Sequence, residues 1–386
     1  MVVLGSESLD VKIRDALSLW NKIDETDLKI LEGLSMLGPR NYKLIAERIG
    51  VPSSTVQYRI QRMLNNSTLF LHVNPYHTNM GLKKAVIFLE AYPGQEDVLL
   101  DCLRLHDYWL YLCRIYGPFE GCGGVWTVPK GREGDFIDYM KGLIDAGVAS
   151  SIEVNWTTCH EGIPVKSRWF DYEMGSWIFD WREWLVEVET IEGDLPWTIV
   201  EPDDWPIRVD KIDLLIIKEL EVDGRQSLTT ISKKLGINVE NLKYHYRNHV
   251  LKNDLIEGYQ VEIFRFPSLI SEMVWFKFYF SSYEKFVKFT LSLHDKPFPI
   301  HLGKVLGELA LTSFMYLPKM EFRRFIACLS ELIARGLLVR YHYYFQDMFQ
   351  SWRETIPYQH FDGKAWIYDK ERYQEELKET LSKWGK

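Results

Sequence analysis

The sequence is poor in cysteine, and its five cysteines are scattered along 386 residues without a C-x-x-C pair. This scarcity argues against both a disulfide framework and a zinc site, and it fits a reducing cytoplasm. No run approaches the roughly 18 uninterrupted apolar residues of a membrane span, and the first residues lack the features of a secretory signal. The sequence therefore predicts a cytoplasmic protein with no metal site, no cofactor and no membrane contact.

Positive charge is also scarce, since 46 basic residues stand against 54 acidic ones and the formal net charge is −8 at pH 7. A nucleic-acid-binding protein usually shows a basic footprint, so this balance counts against simple DNA binding unless the charges are segregated. Acidic residues crowd residues 180–204, close to Pro196, Pro202 and Pro206. This composition predicts a solvated linker that accounts for much of the negative charge.

The chain repeats itself. Residues 23–34 align with residues 209–220 at an offset of 186, and the alignment continues without a gap to Tyr58 and Tyr244. Later matches follow at an offset of 189, and the Trp-rich tails of the two copies also share short motifs. A repeat that covers nearly everything after residue 22 predicts a tandem duplication.

Each copy begins with a pattern of three helices and a strand. The predicted elements are helices at 28–34, 42–49 and 53–64 and a strand at 69–73, then helices at 228–235 and 238–251 and a strand at 255–261. In the helix at 53–64, the spacing of Val56, Ile60 and Met63 places them on the inner face. This order is that of a winged helix-turn-helix, whose third helix, the recognition helix, enters the major groove of DNA.

A β-α-β-β-α-β order follows in each copy. Strands are predicted at 85–91, 108–116, 124–128 and 150–156 with helices at 96–105 and 133–146, and then strands at 273–280, 298–302, 309–316 and 337–345 with helices at 283–293 and 319–334. This is the ferredoxin-like arrangement, so the predicted fold class is α+β, a tandem duplication of winged helix-turn-helix plus ferredoxin-like αβ-sandwich domain. One copy's open sheet is expected to pack on the other's.

These elements divide the chain into seven segments. They are an N-terminal helix (1–22), the first winged helix-turn-helix (23–75), the first ferredoxin-like domain (76–160), an aromatic tail with the acidic linker (161–207), the second winged helix-turn-helix (208–262), the second ferredoxin-like domain (263–346), and a C-terminal tail with a helix (347–386).

A known family shares this motif and domain order. The motif residues are Asp24, Asp27, Ile30, Leu31, Gly38, Ile45, Ala46, Ile49, Gly50, Val51, Val56, Arg59 and Ile60. The chain resembles the Lrp/AsnC (feast/famine) transcription regulators, as an internally duplicated, archaeal-type member. The resemblance implies a DNA-binding N-terminal module and a C-terminal domain that dimerises and often binds amino acids. Family members usually carry one copy per chain, so this chain resembles a covalent dimer.

Two departures from the family pattern bear on function. Pro52 stands at the usual serine N-cap of the first recognition helix, whereas Asn238 preserves a capping residue in the second copy. The loops at 117–123 and 303–308 keep glycines but lack the acidic pair common in the family. The missing pair argues against amino-acid sensing and leaves open a small-molecule effector of another kind.

The predicted DNA contacts lie on the recognition helices and beside them. They are Arg40, Lys43, Ser54, Thr55, Gln57, Tyr58, Arg59, Gln61 and Arg62 in the first copy, and Lys233, Lys234, Asn241, Lys243, Tyr244, His245 and Arg247 in the second. The alternative is a winged helix kept as a protein-binding platform. Tyr58 and Tyr244, at matching places, either contact DNA or pack against the wing as core.

A histidine–aspartate pair recurs as His106-Asp107 and His294-Asp295. A repeated pair of this kind invites a catalytic interpretation. No serine or cysteine nucleophile repeats with it, and a histidine near a helix C-terminus favours the helix dipole, so a structural role is favoured.

The tails also recur, with Trp177-Ile178 matching Trp366-Ile367. These aromatic residues either line a pocket for a flat ligand or pack across the αβ domain and close it, and the second interpretation is favoured. Residues 9–23 carry apolar side chains at near-helical spacing and predict an extra helix.

Three functions follow from these patterns. The favoured one is a non-enzymatic, DNA-binding transcription regulator whose two modules read two half-sites of double-stranded DNA. The second is an adaptor that binds basal transcription factors, for which the acidic segment offers a surface. The third is an enzyme resembling siroheme decarboxylases, but their strand motif is missing from the nearest stretch, residues 110–116. The chain is expected to form a pseudo-dimer within itself, and a homodimer of chains stays open.

Overall fold

The computed structural model describes residues 23–65, 69–158, 160, 163, 166–173, 176–263 and 271–385. The predicted N-terminal helix lies outside these residues. Within them, no helix combines the length and the apolar character needed to cross a membrane.

The first half of the chain contains helices and strands in the predicted order up to the strand Ala149–Thr157, followed by two short strands and a helix that were not predicted. They are α1 (Glu25–Leu37), α2 (Tyr42–Ile49), α3 (Ser53–Asn65), β1 (Leu69–Pro75), β2 (Leu82–Ala91), α4 (Glu96–Arg104), β3 (Trp109–Tyr116), β4 (Gly121–Pro129), α5 (Glu133–Asp145), β5 (Ala149–Thr157), β6 (Phe170–Asp171), β7 (Ser176–Trp177) and α6 (Trp181–Thr190).

The second half runs through a closely similar order. Its elements are α7 (Lys211–Val222), α8 (Leu228–Leu235), α9 (Val239–His245), a π-helical turn (Tyr246–Val250), β8 (Ile256–Ile263), β9 (Ser271–Tyr279), α10 (Tyr283–Leu293), β10 (Pro299–Lys304), β11 (Ala310–Pro318), α11 (Lys319–Ala334), β12 (Arg340–Arg353) and α12 (Lys370–Lys383). The predicted mixture of helices and antiparallel strands, the α+β class, is confirmed.

The two αβ units share one eight-stranded sheet. Its strand order is β10-β11-β9-β12-β3-β4-β2-β5, and the junction between the halves is the antiparallel pair of β12 with β3. The outer edges approach each other as well, through bridges from Thr157 to Val305 and from His160 to Leu302. An apolar cluster with members from both halves, including Phe88 and Trp275, fills the space between the facing strands. The sheet faces of the two halves therefore contact each other, as expected.

The strands predicted as wings form a two-stranded ribbon with each other. β1 pairs with β8 in antiparallel register, with Leu69 opposite Ile263 and Val73 opposite Tyr259. Both predicted strands are present, and the sequence prediction did not include their pairing with each other. A lone edge strand leaves backbone N–H and C=O groups unpaired, and the matching strand of the other half satisfies them.

The tails cross over to the opposite half. In α6 the side chains of Trp184 and Val188 are buried in the core of the second αβ unit, and α12 of the second half packs on α4 and α5 of the first. The prediction of a solvated linker is therefore wrong for residues 181–190, because their apolar side chains at helical spacing are buried. Acidic residues of this helix still reach basic partners: Glu187 lies 2.7 Å from the ammonium of Lys296.

Candidate nucleic-acid interface

The recognition helix of the first half, α3, presents a polar outer face. Its inner residues Val56, Ile60 and Met63 are buried, as the spacing predicts. The exposed residues of the predicted site are Ser54, Gln57, Tyr58 and Gln61, and Thr55 is half-buried. Tyr58 is 68% exposed, so the interpretation of this side chain as core is wrong. Uncharged groups able to donate and accept hydrogen bonds therefore dominate this face.

The two arginines of α3 point back toward the start of α1. The guanidinium of Arg62 lies 2.5 Å from Asp27, and that of Arg59 lies 3.1 Å from Asp27 and also binds Asp24. Burial raises the pKa of Asp24, but the hydrogen bond from Arg59 opposes this, and the net pKa lies below the ordinary value. The expectation that both arginines lie on a free positive face is wrong, because they neutralise the capping carboxylates of α1.

Arg40 is held between the two halves. Its guanidinium donates to the carbonyl of Gln226 at 2.8 Å and to the hydroxyl of Tyr259. The predicted role of Arg40 beside a DNA phosphate does not fit this position, because its donors serve a contact inside the molecule. Lys43, three residues later, has a side chain that is 87% exposed, with its ammonium 4.0 Å from the carboxylate of Glu47.

The helix predicted as the second recognition helix, α9, begins at a side-chain cap. The carboxamide oxygen of Asn238 accepts hydrogen bonds from the backbone N–H groups of Glu240 and Asn241 at 2.9 and 3.3 Å, which confirms the predicted capping residue. The exposed residues of the predicted site in this half are Lys233, Lys234, Asn241, Tyr244 and Arg247.

Two of the lysines in the second half have acidic neighbours. Lys243 is half-buried and lies 2.7 Å from Glu240, and Lys234 lies 3.1 Å from Glu219. Tyr244 is 55% exposed, so the core interpretation is wrong here too. Arg247 nevertheless remains an exposed cation directly after α9, whereas both arginines of α3 bind carboxylates.

His245 is not on the exposed face where the sequence placed it. The side chain is buried, and its Nδ1 atom lies 3.0 Å from a carboxylate oxygen of Asp213. The prediction of a DNA contact for His245 is therefore wrong. The physical reason is that His245 stands where the first half has Arg59 and turns inward to the carboxylates in the same way. Sequence reasoning also missed His249, although the H-x-x-x-H spacing is visible in the sequence.

The repeated histidines of the αβ units are buried. His106 lies 2.9 Å from the hydroxyl of Tyr368, and burial lowers its pKa to about 3. His294 stacks on His160 with ring centroids 4.9 Å apart, and burial lowers its pKa to about 4. Both positions are consistent with the structural role favoured for these residues.

The repeated tryptophans of the tails pack in the protein interior. Trp177 lies in the apolar cluster around α1, and the indole N–H of Trp366 donates to the carbonyl of Met80 at 2.6 Å. A cavity of about 860 Å³ lies instead between β1, α7 and β12. Trp109, Arg225 and Trp352 line it. Its lining is thus a mixture of aromatic and basic side chains.

Comparison with known proteins agrees with the first helix-turn-helix. Residues 23–64 match the model of the AsnC-type helix-turn-helix domain. The chain is 36% identical over 76 residues to an uncharacterized HTH-type transcriptional regulator of Pyrococcus furiosus, a stretch that is 19% of this chain and 51% of that protein. The chain thus spans about half the length of this curated relative. The predicted resemblance to Lrp/AsnC regulators is confirmed.

Solved structures include two backbones with partial likeness. The siroheme decarboxylase NirDL has a TM-score of 0.48 at 11% identity, covering 94% of this chain and 100% of that one. E. coli AsnC has a TM-score of 0.26 at 18% identity, covering 34% and 89%. Because both scores are low, neither likeness bears on what this chain does.

Proposed function

We propose that this chain, which carries an AsnC-type helix-turn-helix domain at residues 23–64, is a DNA-binding transcription regulator and not an enzyme. In this proposal the chain is an internally duplicated regulator, and one molecule presents two recognition helices to two half-sites of double-stranded DNA. The observation that carries the proposal is the match of residues 23–64 to the AsnC-type helix-turn-helix domain. The third helix of this domain, α3, has an exposed and polar outer face.

The exposed residues of α3 are chemically suited to base edges. Gln57 and Gln61 lie one helical turn apart, so both amides face the same side of α3. A glutamine amide can donate to and accept from adenine in the major groove, and the ring of Tyr58 can contact a thymine methyl group. Asn241 and Tyr244 offer the corresponding groups on α9.

The two modules are unequal in charge. In the first, Arg59 and Arg62 are taken up by carboxylates, which leaves mainly neutral side chains on the outer face. In the second, Arg247 in the turn after α9 is exposed, whereas the helix before each recognition helix carries an exposed lysine in both modules, Lys43 and Lys233. Phosphate contacts set affinity and base contacts set specificity, so the second module is expected to supply more of the salt-dependent affinity.

Selection of binding sites from a random duplex pool tests this proposal. The expected result is a site with two different halves, because one chain presents two different faces to it. Replacement of Gln57 by Ala should relax selection at one half only, and replacement of Asn241 by Ala at the other. A perfect palindrome contacted by both modules of one chain would show that the two helices read alike.

Duplex binding and the absorption spectrum of the purified protein distinguish this proposal from the adaptor and the enzyme. Failure to bind any duplex at low salt would overturn DNA binding and favour the protein-binding adaptor. A purified protein with Soret absorption from a bound tetrapyrrole would overturn the non-enzymatic assignment.

A further inference from the structure

Four side chains of the second helix-turn-helix meet at the start of α7. They are Asp210, Asp213, His245 and His249, and we call them the His–Asp cluster. One ligand atom from each lies within 4.8 Å of those of the others. The Nδ1 atom of His245 is 3.0 Å from Asp213 and 3.3 Å from Asp210, and that of His249 is 3.3 Å from Asp213 and 3.5 Å from Asp210.

We propose that the His–Asp cluster binds a divalent transition-metal ion of the zinc type. A tetrahedral site with metal–ligand bonds of roughly 2.0–2.1 Å has ligand atoms about 3.3 Å apart. The separation of 3.0 Å between His245 Nδ1 and Oδ1 of Asp213, and those of 3.3 and 3.5 Å from the two imidazoles to Oδ2 of Asp210, fall around this value before any ion is added. Two imidazoles and two carboxylates are also a donor set that zinc accepts, whereas magnesium and calcium prefer oxygen alone.

The carboxylates are oriented independently of the histidines. One oxygen of Asp210 accepts hydrogen bonds from the backbone N–H groups of Ile212 and Asp213 at 2.8 and 3.0 Å, and the other faces the imidazoles. A carboxylate oxygen of Asp213 accepts from the backbone N–H of Asp210 at 3.0 Å. Such outer contacts hold a ligand in place before the metal arrives.

The corresponding aspartates of the first half contact arginines, whereas those of the His–Asp cluster contact histidines. Asp24 and Asp27 stand 186 positions before Asp210 and Asp213, and there Arg59 binds both carboxylates while Arg62 binds that of Asp27. Arginine carries a permanent charge and cannot ligate a metal, whereas a neutral imidazole ligates well. In the second half the two carboxylates therefore face two imidazoles, which can ligate a metal ion, instead of permanently charged guanidinium groups.

A divalent ion would balance the two carboxylates. Asp213 has a side chain only 1% exposed, and a buried carboxylate without a countercharge is costly. The N-terminus of α7 contributes a partial positive charge of only about one half. The side chains of His249 and Asp210 are 31% and 41% exposed, so an ion has a route from solvent.

The site would join two elements of the module. Asp210 is the N-cap of α7 and Asp213 lies in its first turn, whereas His245 ends the helix α9 and His249 lies in the π-helical turn after it. The first-half helix α3 is continuous α-helix over the corresponding stretch. The ion would therefore fix the end of the recognition helix to α7, a role that does not depend on DNA binding.

Titration of the full chain, stripped with a chelator, with Zn²⁺ and Co²⁺ tests the proposal. We expect one ion per chain at micromolar protein, a visible Co²⁺ spectrum typical of four-coordination, and a rise in the melting temperature on adding Zn²⁺. The matched control is His245→Arg with His249→Met, which copies the first-half residues Arg59 and Met63. This variant should lose affinity by more than about 100-fold and show no shift in melting temperature.

A second variant covers the case in which the double replacement does not fold. Asp210→Asn keeps an N-cap residue but removes a charged ligand, so it should fold and bind Zn²⁺ more weakly. Absence of binding to the wild-type chain at micromolar Zn²⁺ would overturn the proposal. Binding that is equally tight in the wild type and in a folded variant would overturn it as well, because the ion would then lie elsewhere.

Discussion

The ring of Phe88 stacks on that of Tyr344 with centroids 4.4 Å apart, although the two residues belong to different halves of the chain. The contact lies between facing strands of the shared sheet. Since Phe88 is almost fully buried, Phe88→Ala should lower the free energy of unfolding by about 3–5 kcal/mol. Urea denaturation measures this change, and Phe349→Ala is the control because that ring is 70% exposed on the same strand as Tyr344.

The same experiment tests whether the halves unfold together. A sheet shared through β12 and β3 predicts one cooperative transition in both proteins. Two separate transitions in the wild-type chain would contradict this.

Arg62 on α3 and Arg247 in the turn after α9 should respond differently to alanine. Arg247 is exposed, so Arg247→Ala should weaken DNA binding and lower the slope of affinity against salt by about one phosphate contact, with little change in stability. Arg62→Ala removes a partner of the buried carboxylate of Asp27 and should instead cost about 1–3 kcal/mol of stability. Salt titrations of DNA binding beside urea denaturation separate the two effects. A changed salt slope in a fully stable Arg62→Ala protein would contradict the assignment.

Stability should fall in acid because of His106. Its folded pKa of about 3 lies below the unfolded value of roughly 6.5, so the unfolded chain takes up the proton first as the pH falls. This contribution is complete above about pH 6.5 and is lost progressively toward pH 3, on the order of 2 kcal/mol by pH 5. We expect the loss of unfolding free energy between pH 7 and 5 to be smaller by this amount in His106→Phe. Equal losses in variant and wild type would show that His106 does not carry the effect.

The crossed-over tail should stabilise the half that it covers. Trp184 of α6 is nearly fully buried and its indole N–H donates to Ser292 at 3.0 Å. Trp184→Ala should therefore lower the free energy of unfolding by about 3–5 kcal/mol. Val186→Ala, on the exposed side of the same helix, should change it by less than about 0.5 kcal/mol. Hydrogen exchange should show the loss of protection first in α10 and α11, which contact α6.

The sequence predicted the helices and strands well, because the signals that define each of them lie within its own segment. Helices α10 and α11 match the predicted spans because apolar spacing and capping residues lie within each segment: Ser282 accepts from the backbone N–H of Lys285, and Gly336 follows α11 with a positive φ of 69°. The buried residues of α3 follow from the helical period alone.

The sequence could not show which helix or strand the apolar or charged face of another element contacts in the folded chain. The pairing of β1 with β8 and the burial of α6 on the opposite half join residues far apart in the chain. The inward turn of His245 depends on Asp213, 32 positions earlier, which no helical period reports.

The ribbon of β1 and β8 affects how a defective copy of the protein acts on an intact one in the same cell. Because both strands belong to one chain, the ribbon forms within one molecule, and dilution does not separate its strands as it would for a ribbon between subunits. In a cell that makes intact and defective versions of such a protein, strands of the two versions have no need to pair. A defective allele then has no dominant-negative effect through this contact, because the ribbon of each molecule depends only on that molecule's own sequence.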